Sequence, residues 1–273
     1  MQKQRIRGMV LAAVVCCVSL SGCGAAEKTA RQTDLPTIII GSDNYPPYNY
    51  ENVDGRPTGI DVDLATEAFR RMGYQAVFTY IDWEKKKELV DSGKIDCIWG
   101  SFSIDGREEE YRWSAPYMMS RQVVAVNRDS EIKTLADLEG KRIAVQSTTK
   151  PEELFLNAEQ NGLPRLRRLY SLQNRDLLYT TLLKGYADAL AAHESAIRQF
   201  MKDYSVEYRI LDEPLMTARL GVAFAKDRSD DLPQQLTEVF QEMLADGTVR
   251  QIVSRYLDDP EHYLDGLEDS THA

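Results

Sequence analysis

Arg107 closes the segment Trp99-Gly100-Ser101-Phe102-Ser103-Ile104-Asp105-Gly106-Arg107. A guanidinium is a planar fork of donors that matches a carboxylate bidentately, and hydroxyls and free backbone N–H groups supplement it. If the apolar run through Ile95–Gly100 is a strand, the period of two aims the hydroxyls of Ser101 and Ser103 one way and Phe102 the other. The competing reading puts Arg107 on the surface beside Glu108, Glu109 and Glu110, where ion pairs are worth little. By spacing alone the two readings are evenly matched.

Three further groups carry chemistry. Tyr45, Tyr48 and Tyr50 crowd a loop stiffened by Pro46-Pro47, and rigid aromatics can wall an organic ligand or face a cation. Tyr45, nearest the preceding strand, is assigned to a pocket; packing of the loop onto its own lobe is the alternative. The run Gln146-Ser147-Thr148-Thr149-Lys150-Pro151 ends a strand and opens a helix, leaving N–H groups for an anion or for an ordinary cap. Ala187–Ala192 forms a strand that delivers His193 and Glu194 to its carboxyl end. His193 titrates near neutrality and fits a ligand contact or a structural hydrogen-bonder. Asp61 and Asp63 open a helix, where carboxylates favour the dipole and cap N–H groups, so they receive no ligand role.

The whole chain limits these options. Its 273 residues carry 33 Lys+Arg against 43 Asp+Glu, a formal charge of -10, with 43% hydrophobic content. A mean hydropathy of -0.42 is too polar for a multi-span membrane protein, and the apolar content is too high for a disordered one. The acidic balance excludes a nucleic-acid partner, which needs a basic stripe to neutralise phosphates.

The N-terminus is a targeting segment. Lys3, Arg5 and Arg7 precede the apolar run Met9–Leu20, which is shorter than the roughly 20 residues a bilayer span needs. Leu20-Ser21-Gly22-Cys23 resembles the lipobox of bacterial lipoproteins, in which the cysteine is acylated and becomes the mature N-terminus; an ordinary cleaved signal is the alternative. Cys16 and Cys17 leave with the signal and Cys23 carries lipid. Only Cys97 remains, a buried strand residue, so the body has no internal disulfide. With His193, His262 and His272 its only histidines, it offers no metal cluster.

From Leu35 onward, strand-like and helix-like segments alternate. Strands are predicted over 37–42, 75–80, 95–100, 121–127, 141–146, 166–170, 187–192, 206–211 and 220–226, the first buried on both faces. Helices are predicted over 61–72, 83–90, 151–159, 174–184, 232–245 and 248–256, with a helical turn at 135–140. This alternation implies parallel sheets covered by helices, and there are too many strands for one modest sheet. The fold class is α/β with two lobes, the second inserted into the first and joined to it by a two-strand hinge near 117–122 and 217–221. The expected organisation is a signal peptide (1–22), a lipidated tether (23–34), a discontinuous first lobe (35–119 and 221–260), a second lobe (120–220) and a C-terminal tail (261–273). Ligands of such sheets sit at strand carboxyl ends, so facing lobes form one cleft.

From about 35 to 257 the chain resembles the bacterial extracellular solute-binding proteins of family 3. The resemblance rests on the strand followed by Tyr45-Pro46-Pro47-Tyr48, on Gly59, Asp61, Asp63 and Leu64, and on Lys94–Asp96. It continues through Arg107 with Trp113-Ser114 and Pro116-Tyr117, Leu135–Lys141, Ala144-Val145-Gln146 with Thr148 and Thr149, Gly185–Ala189, Leu220–Phe224 and Asp246–Ile252. It implies a periplasmic-binding-protein type II-like fold. It also implies that Tyr45 and Trp83 sandwich the ligand, that Ser101 and Ser103 bind it through backbone and hydroxyl groups, that Arg107 grips an α-carboxylate, and that Thr148 and Thr149 add contacts from the second lobe. Two positions depart from the family's pattern. The approach to the arginine is one residue shorter and lacks a Thr, and His193 stands where an aspartate usually meets the ligand's α-ammonium. A ligand without a free amine, or one contacted through His193, stays open, with Glu194 the nearest carboxylate.

The expectation is an extracytoplasmic, lipid-anchored, monomeric receptor at the cell membrane. It captures a small carboxylate-bearing solute, an amino acid or derivative, for an ABC importer permease, without cofactor, metal or catalytic residue. A ligand sensor for a membrane signalling partner and an acid/base lyase on the same fold, using His193 and Glu194, are the rivals.

Overall fold

The computed structural model describes residues 35–267. The expected signal peptide, the tether with Cys23, and positions 268–273 of the tail lie outside the described residues. The first strands are β1 (Thr37–Ser42), β2 (Tyr50–Glu51) and β3 (Pro57–Thr58), followed by helix α1 (Ile60–Arg71), β4 (Gln75–Tyr80), α2 (Lys86–Asp91), β5 (Cys97–Ile98) and β6 (Arg112–Trp113). The long β7 (Met118–Asn127) leads to β8 (Arg142–Gln146), α3 (Lys150–Leu156), β9 (Arg168–Leu172), α4 (Asp176–Leu183), β10 (Ala189–His193) and α5 (Glu194–Tyr204). The chain then runs through β11 (Tyr208–Ile210), β12 (Met216–Leu220), β13 (Ala223–Phe224), α6 (Leu232–Ala245), α7 (Thr248–Val253) and α8 (Glu261–Leu264). Trp83–Lys85 and Leu135–Leu138 are single 3-10 turns.

Two sheets organise these elements. One has the order β4-β1-β5-β13-β6; the other has the order β11-β7-β10-β8-β9, with β12 also on β7. Strand β7 leaves the first sheet's neighbourhood for the second, and β12 returns antiparallel to it, Met118 opposite Leu220 and Gln122 opposite Met216. The result is the two-lobed α/β fold with a two-strand connection.

The second sheet is apolar on both faces because its strands alternate between two cores. Val123, Ala125, Leu190 and Ala192 join Leu178 and Leu182 of α4, whereas Val124, Val126, Ile143 and Val145 pack against Leu138 and Phe155. Each side chain is committed to one face, so a one-residue slip would exchange the two sets. In the first sheet, Ile38, Ile40 and Cys97 pack with Leu64, Ala68 and Phe69 of α1 and with Phe240 of α6.

Several local expectations change. The sheets are mixed rather than parallel, since β13 is antiparallel to β5 and β7 is antiparallel to β10, β11 and β12. Strand β1 is not buried throughout, because Ile39 lies 38% exposed on the face away from α1. The strand predicted over 95–100 shrinks to Cys97–Ile98, and the helix predicted from Trp83 begins as a 3-10 turn. Neither Asp61 nor Asp63 caps α1. Its first N–H groups are met instead by the tyrosine loop: Ile60 N donates to Pro47 O at 3.0 Å and Asp61 N to Tyr48 O at 2.8 Å.

That seating requires Gly59. It has φ +124°, and a Cβ there would lie 2.3 Å from Tyr48 O and 2.8 Å from Pro47 O. Gly59→Ala is therefore expected to cost on the order of 2–3 kcal/mol and to lower the melting temperature by about 5–10 °C, read by circular dichroism. An unchanged melting temperature would show that the loop has room to yield.

Candidate functional site

Loops at the carboxyl ends of strands from both sheets converge on a narrow cleft that is partly open to solvent. Tyr45 follows β1, Ser101-Phe102-Ser103 follow β5, Gln146 to Lys150 follow β8, and His193 ends β10; Trp83, Arg107 and Arg175 complete the wall. Of the residues singled out in the sequence, Tyr45, Trp83, Ser101, Ser103, Arg107, Thr148, Thr149 and His193 all line it. Glu194 does not. Its carboxylate turns to the other side of β10 and is held by Arg121 at 2.9 Å and Arg198 at 2.6 Å. This is the step across the backbone expected of adjacent residues, and it withdraws Glu194 from the cavity.

Arg107 is buried at 8% exposure. It pairs with none of Glu108, Glu109 and Glu110; its Nη1 donates to Ser103 O at 3.3 Å and its Nη2 to Thr148 O at 3.4 Å. Among the described residues its only carboxylate within ion-pair range is Glu153, at 3.9 Å. Burial lowers its pKa from the ordinary value. The guanidinium thus spans residues of both lobes on two long bonds to neutral carbonyls, above the Phe102 ring at 5.1 Å.

Ser101 departs from the expected alternation. Its φ is +46°, and Ser101, Phe102 and Ser103 all border the cavity instead of pointing to opposite sides. Asp61 holds this turn: fully buried, it accepts from Ser101 N at 2.7 Å and from Tyr117 Oη at 2.8 Å. The carboxylate assigned to the helix dipole therefore anchors the binding loop of the opposite strand.

The start of α3 is not an open anion site. Thr148 N donates to the Glu152 carboxylate at 2.5 Å, and Thr149 Oγ1 donates to Gln146 O at 2.6 Å. Thr148 instead presents acceptors, and Lys86 Nζ donates to its Oγ1 at 2.8 Å across the cleft. Lys86 has no carboxylate within ion-pair range among the described residues; burial and then Arg107 bring its pKa down to about 8.

His193 is buried with both ring nitrogens engaged, Nδ1 with Ser120 Oγ at 2.8 Å and Nε2 with the Gln122 amide at 2.8 Å. Its backbone N–H donates to Tyr45 Oη at 3.2 Å. Burial, and next Arg175, push its pKa down to about 3, so it is a neutral strut in the wall.

Sequence reasoning missed Asp43, Lys86 and Arg175. Asp43 directly follows the end of β1, where the carboxyl-end rule would have found it. Nothing in the spacing around Asn174-Arg175-Asp176 marks Arg175, which reaches from the second lobe to the first. Its Nη2 donates to Asp43 Oδ2 at 2.9 Å, and its guanidinium carbon lies 3.2 Å from the centre of the Tyr45 ring. Among the described residues no cluster of His, Cys, Asp and Glu could hold a metal ion.

The burial of Asp61 and His193 makes stability depend on pH with opposite signs. Asp61 binds its proton at about 6 in the fold against 3.8 in the open chain, chiefly through desolvation. The fold therefore holds more protons between those values, and the contribution of Asp61 weakens as pH rises through them. His193 loses its proton at about 3 instead of 6.5, so its contribution strengthens with pH over that range. Asp61→Asn is expected to make the melting temperature rise more steeply from pH 4 to 6 than in the parent; parallel curves would refute the assignment.

Comparison with known proteins agrees with this geometry. The model of the bacterial extracellular solute-binding proteins, family 3, matches residues 38–259. The histidine-binding periplasmic protein of Salmonella typhimurium is 34% identical over 246 residues, covering 85% of this chain and 92% of that one. The L-cystine-binding protein TcyJ of Escherichia coli (strain K12) is 25% identical over 258 residues, covering 93% and 95%. A substrate-binding protein of an ABC uptake transporter from Streptococcus pneumoniae, solved with bound histidine, superposes with a TM-score of 0.75 at 25% identity, covering 82% of this chain and 93% of that one. With two sheets, a two-strand connection and a cleft at the strand ends, the chain belongs to the bacterial extracellular solute-binding proteins, family 3.

Proposed function

We propose that this protein captures a small carboxylate-bearing solute, an amino acid or derivative, and presents it to the permease of an ABC importer while anchored to the membrane through a lipid on Cys23. The observation that carries the binding role is Arg107: a buried guanidinium with no carboxylate nearer than 3.9 Å among the described residues. Burying a charge whose carboxylate neighbour stands at the edge of ion-pair range is costly, and an incoming carboxylate supplies a direct partner.

The solute's carboxylate would lie on Arg107 with the hydroxyls of Ser101 and Ser103, all carried by the first lobe. Trp83 and Tyr45 bound the solute's body. Thr148 and Thr149, carried by the second lobe, would add contacts only when the lobes approach, so the solute favours the closed arrangement by that difference in contacts. The connection of β7 with β12 is the segment about which the lobes would move. This reading needs binding and closure alone, without a catalytic residue, and the family relatives described above are named as binding proteins.

Arg107→Ala is expected to weaken solute binding at least 100-fold by isothermal titration calorimetry, and Arg107→Lys to retain part of it, because an ammonium keeps the charge but loses the fork. Unchanged affinity in Arg107→Ala would end the reading. For the anchor, Cys23→Ala should move the protein from the membrane fraction to the soluble fraction of cells; retention in the membrane would remove Cys23 as the attachment point.

A further inference from the structure

The cavity wall contains three cations, Arg107, Lys150 and Arg175, and no carboxylate. The two nearest acids already hold cations, and Asp43 does so through Oδ2 alone, its Oδ1 being buried without a hydrogen bond among the described residues. Glu153 chelates Lys150 Nζ at 2.7 and 2.8 Å, and Asp43 accepts from Arg175 and, at 2.8 Å, from the Gln146 amide. Lys86 adds a further buried cation beside the wall, without an acid in ion-pair range among the described residues.

Three aromatic rings already have a cation beside them. Arg175 covers Tyr45 at 3.2 Å, Lys86 lies 4.9 Å from the Trp83 ring, and Arg107 lies 5.1 Å from Phe102. A cationic side chain entering here would meet Arg107, Lys150, Arg175 and Lys86, and the nearest acids already hold two of those cations. The subsite that would suit it, Asp43 with Tyr45, holds the protein's own guanidinium. Only two donors of that guanidinium go to Asp43, both to Oδ2.

We infer that the solute carries a second acidic group, which meets Arg175, and that Arg175 is the residue that turns this cleft away from cationic amino acids. The inference rests on the carboxylate-capture reading and narrows it to two-acid solutes, whether acidic amino acids or simple dicarboxylates. One acid lies on the first lobe's arginine and the other on the second lobe's, so a two-acid solute ties the lobes together where a cationic one would hold them apart.

The test is calorimetric titration of the full mature chain with aspartate, glutamate, succinate, glutarate, glutamine, arginine, lysine and histidine. Expected is at least one two-acid solute binding tenfold or more tighter than glutamine, and no measurable binding of arginine, lysine or histidine at millimolar concentration. Equal or tighter binding of a neutral or cationic compound overturns the inference and leaves carboxylate capture standing; no binding by any of the eight removes both. Arg175→Gln should cost the preferred solute at least tenfold and admit arginine or lysine to the freed Asp43, while Arg175→Lys keeps the acidic preference. A latch without a role in selection would change stability only, so unchanged selectivity in Arg175→Gln, alongside lost binding in Arg107→Ala, sinks this inference alone.

Discussion

The cleft is organised by the difficulty of burying positive charge. A guanidinium or ammonium taken out of water needs an acid, a ring face or several carbonyls around it, or the fold loses several kcal/mol. Here four such groups are gathered at the strand ends of two sheets: Lys86, Arg107, Lys150 and Arg175 are each less than 10% exposed. They are not satisfied equally. Lys150 has Glu153 on both carboxylate oxygens and Arg175 has Asp43 with Tyr45, whereas Arg107 and Lys86 rely on carbonyls, a hydroxyl and rings. This inequality separates groups held for the fold from groups with capacity left for a solute.

The scaffold's task is to keep those cations in place although they belong to different lobes. Each lobe is rigid for its own reason. The second sheet is locked by strands that feed two cores at once, and the first by α1, whose start is seated on the carbonyls of the tyrosine loop. Between the lobes many contacts are polar, beside the rings of Tyr45 and Tyr48 against His193: Tyr48 Oη with Ser120 and Ser195, Lys86 with Thr148, and Gln146 and Arg175 with Asp43. Polar contacts of this kind exchange with water at small net cost, whereas a dry apolar interface would not.

Much of the architecture was legible because it depends on short-range pattern. The alternation of apolar strands with helices, the apolar stripe of 61–72 and the crossings near 117–122 and 217–221 each correspond to an observed element or pairing. Strand direction was not legible, since an antiparallel neighbour is chosen by the connection's path and not by the strand's own residues. Strand length failed where the apolar run Ile95–Gly100 continued past its ladder: Ser101 turns to a positive φ because Asp61, forty residues earlier, takes its N–H. Thr148 shows the same limit. Hydroxyls at a helix start suggest free N–H donors, yet the donor here belongs to Glu152.

By itself the sequence determined the two-lobed class and the strand ends that face the cleft, because periodicity is a local property; the spacing around Arg107 left a carboxylate contact and a surface ion pair evenly matched. Tertiary structure decided which charges are compensated. Asp43 and Arg175 stand 132 positions apart in the chain and meet at 2.9 Å. Glu194, adjacent to His193, faces away and binds Arg121 and Arg198. Pairing energy falls off with distance in space and is indifferent to distance along the chain, so the electrostatic character of the cleft exists only once the lobes are folded.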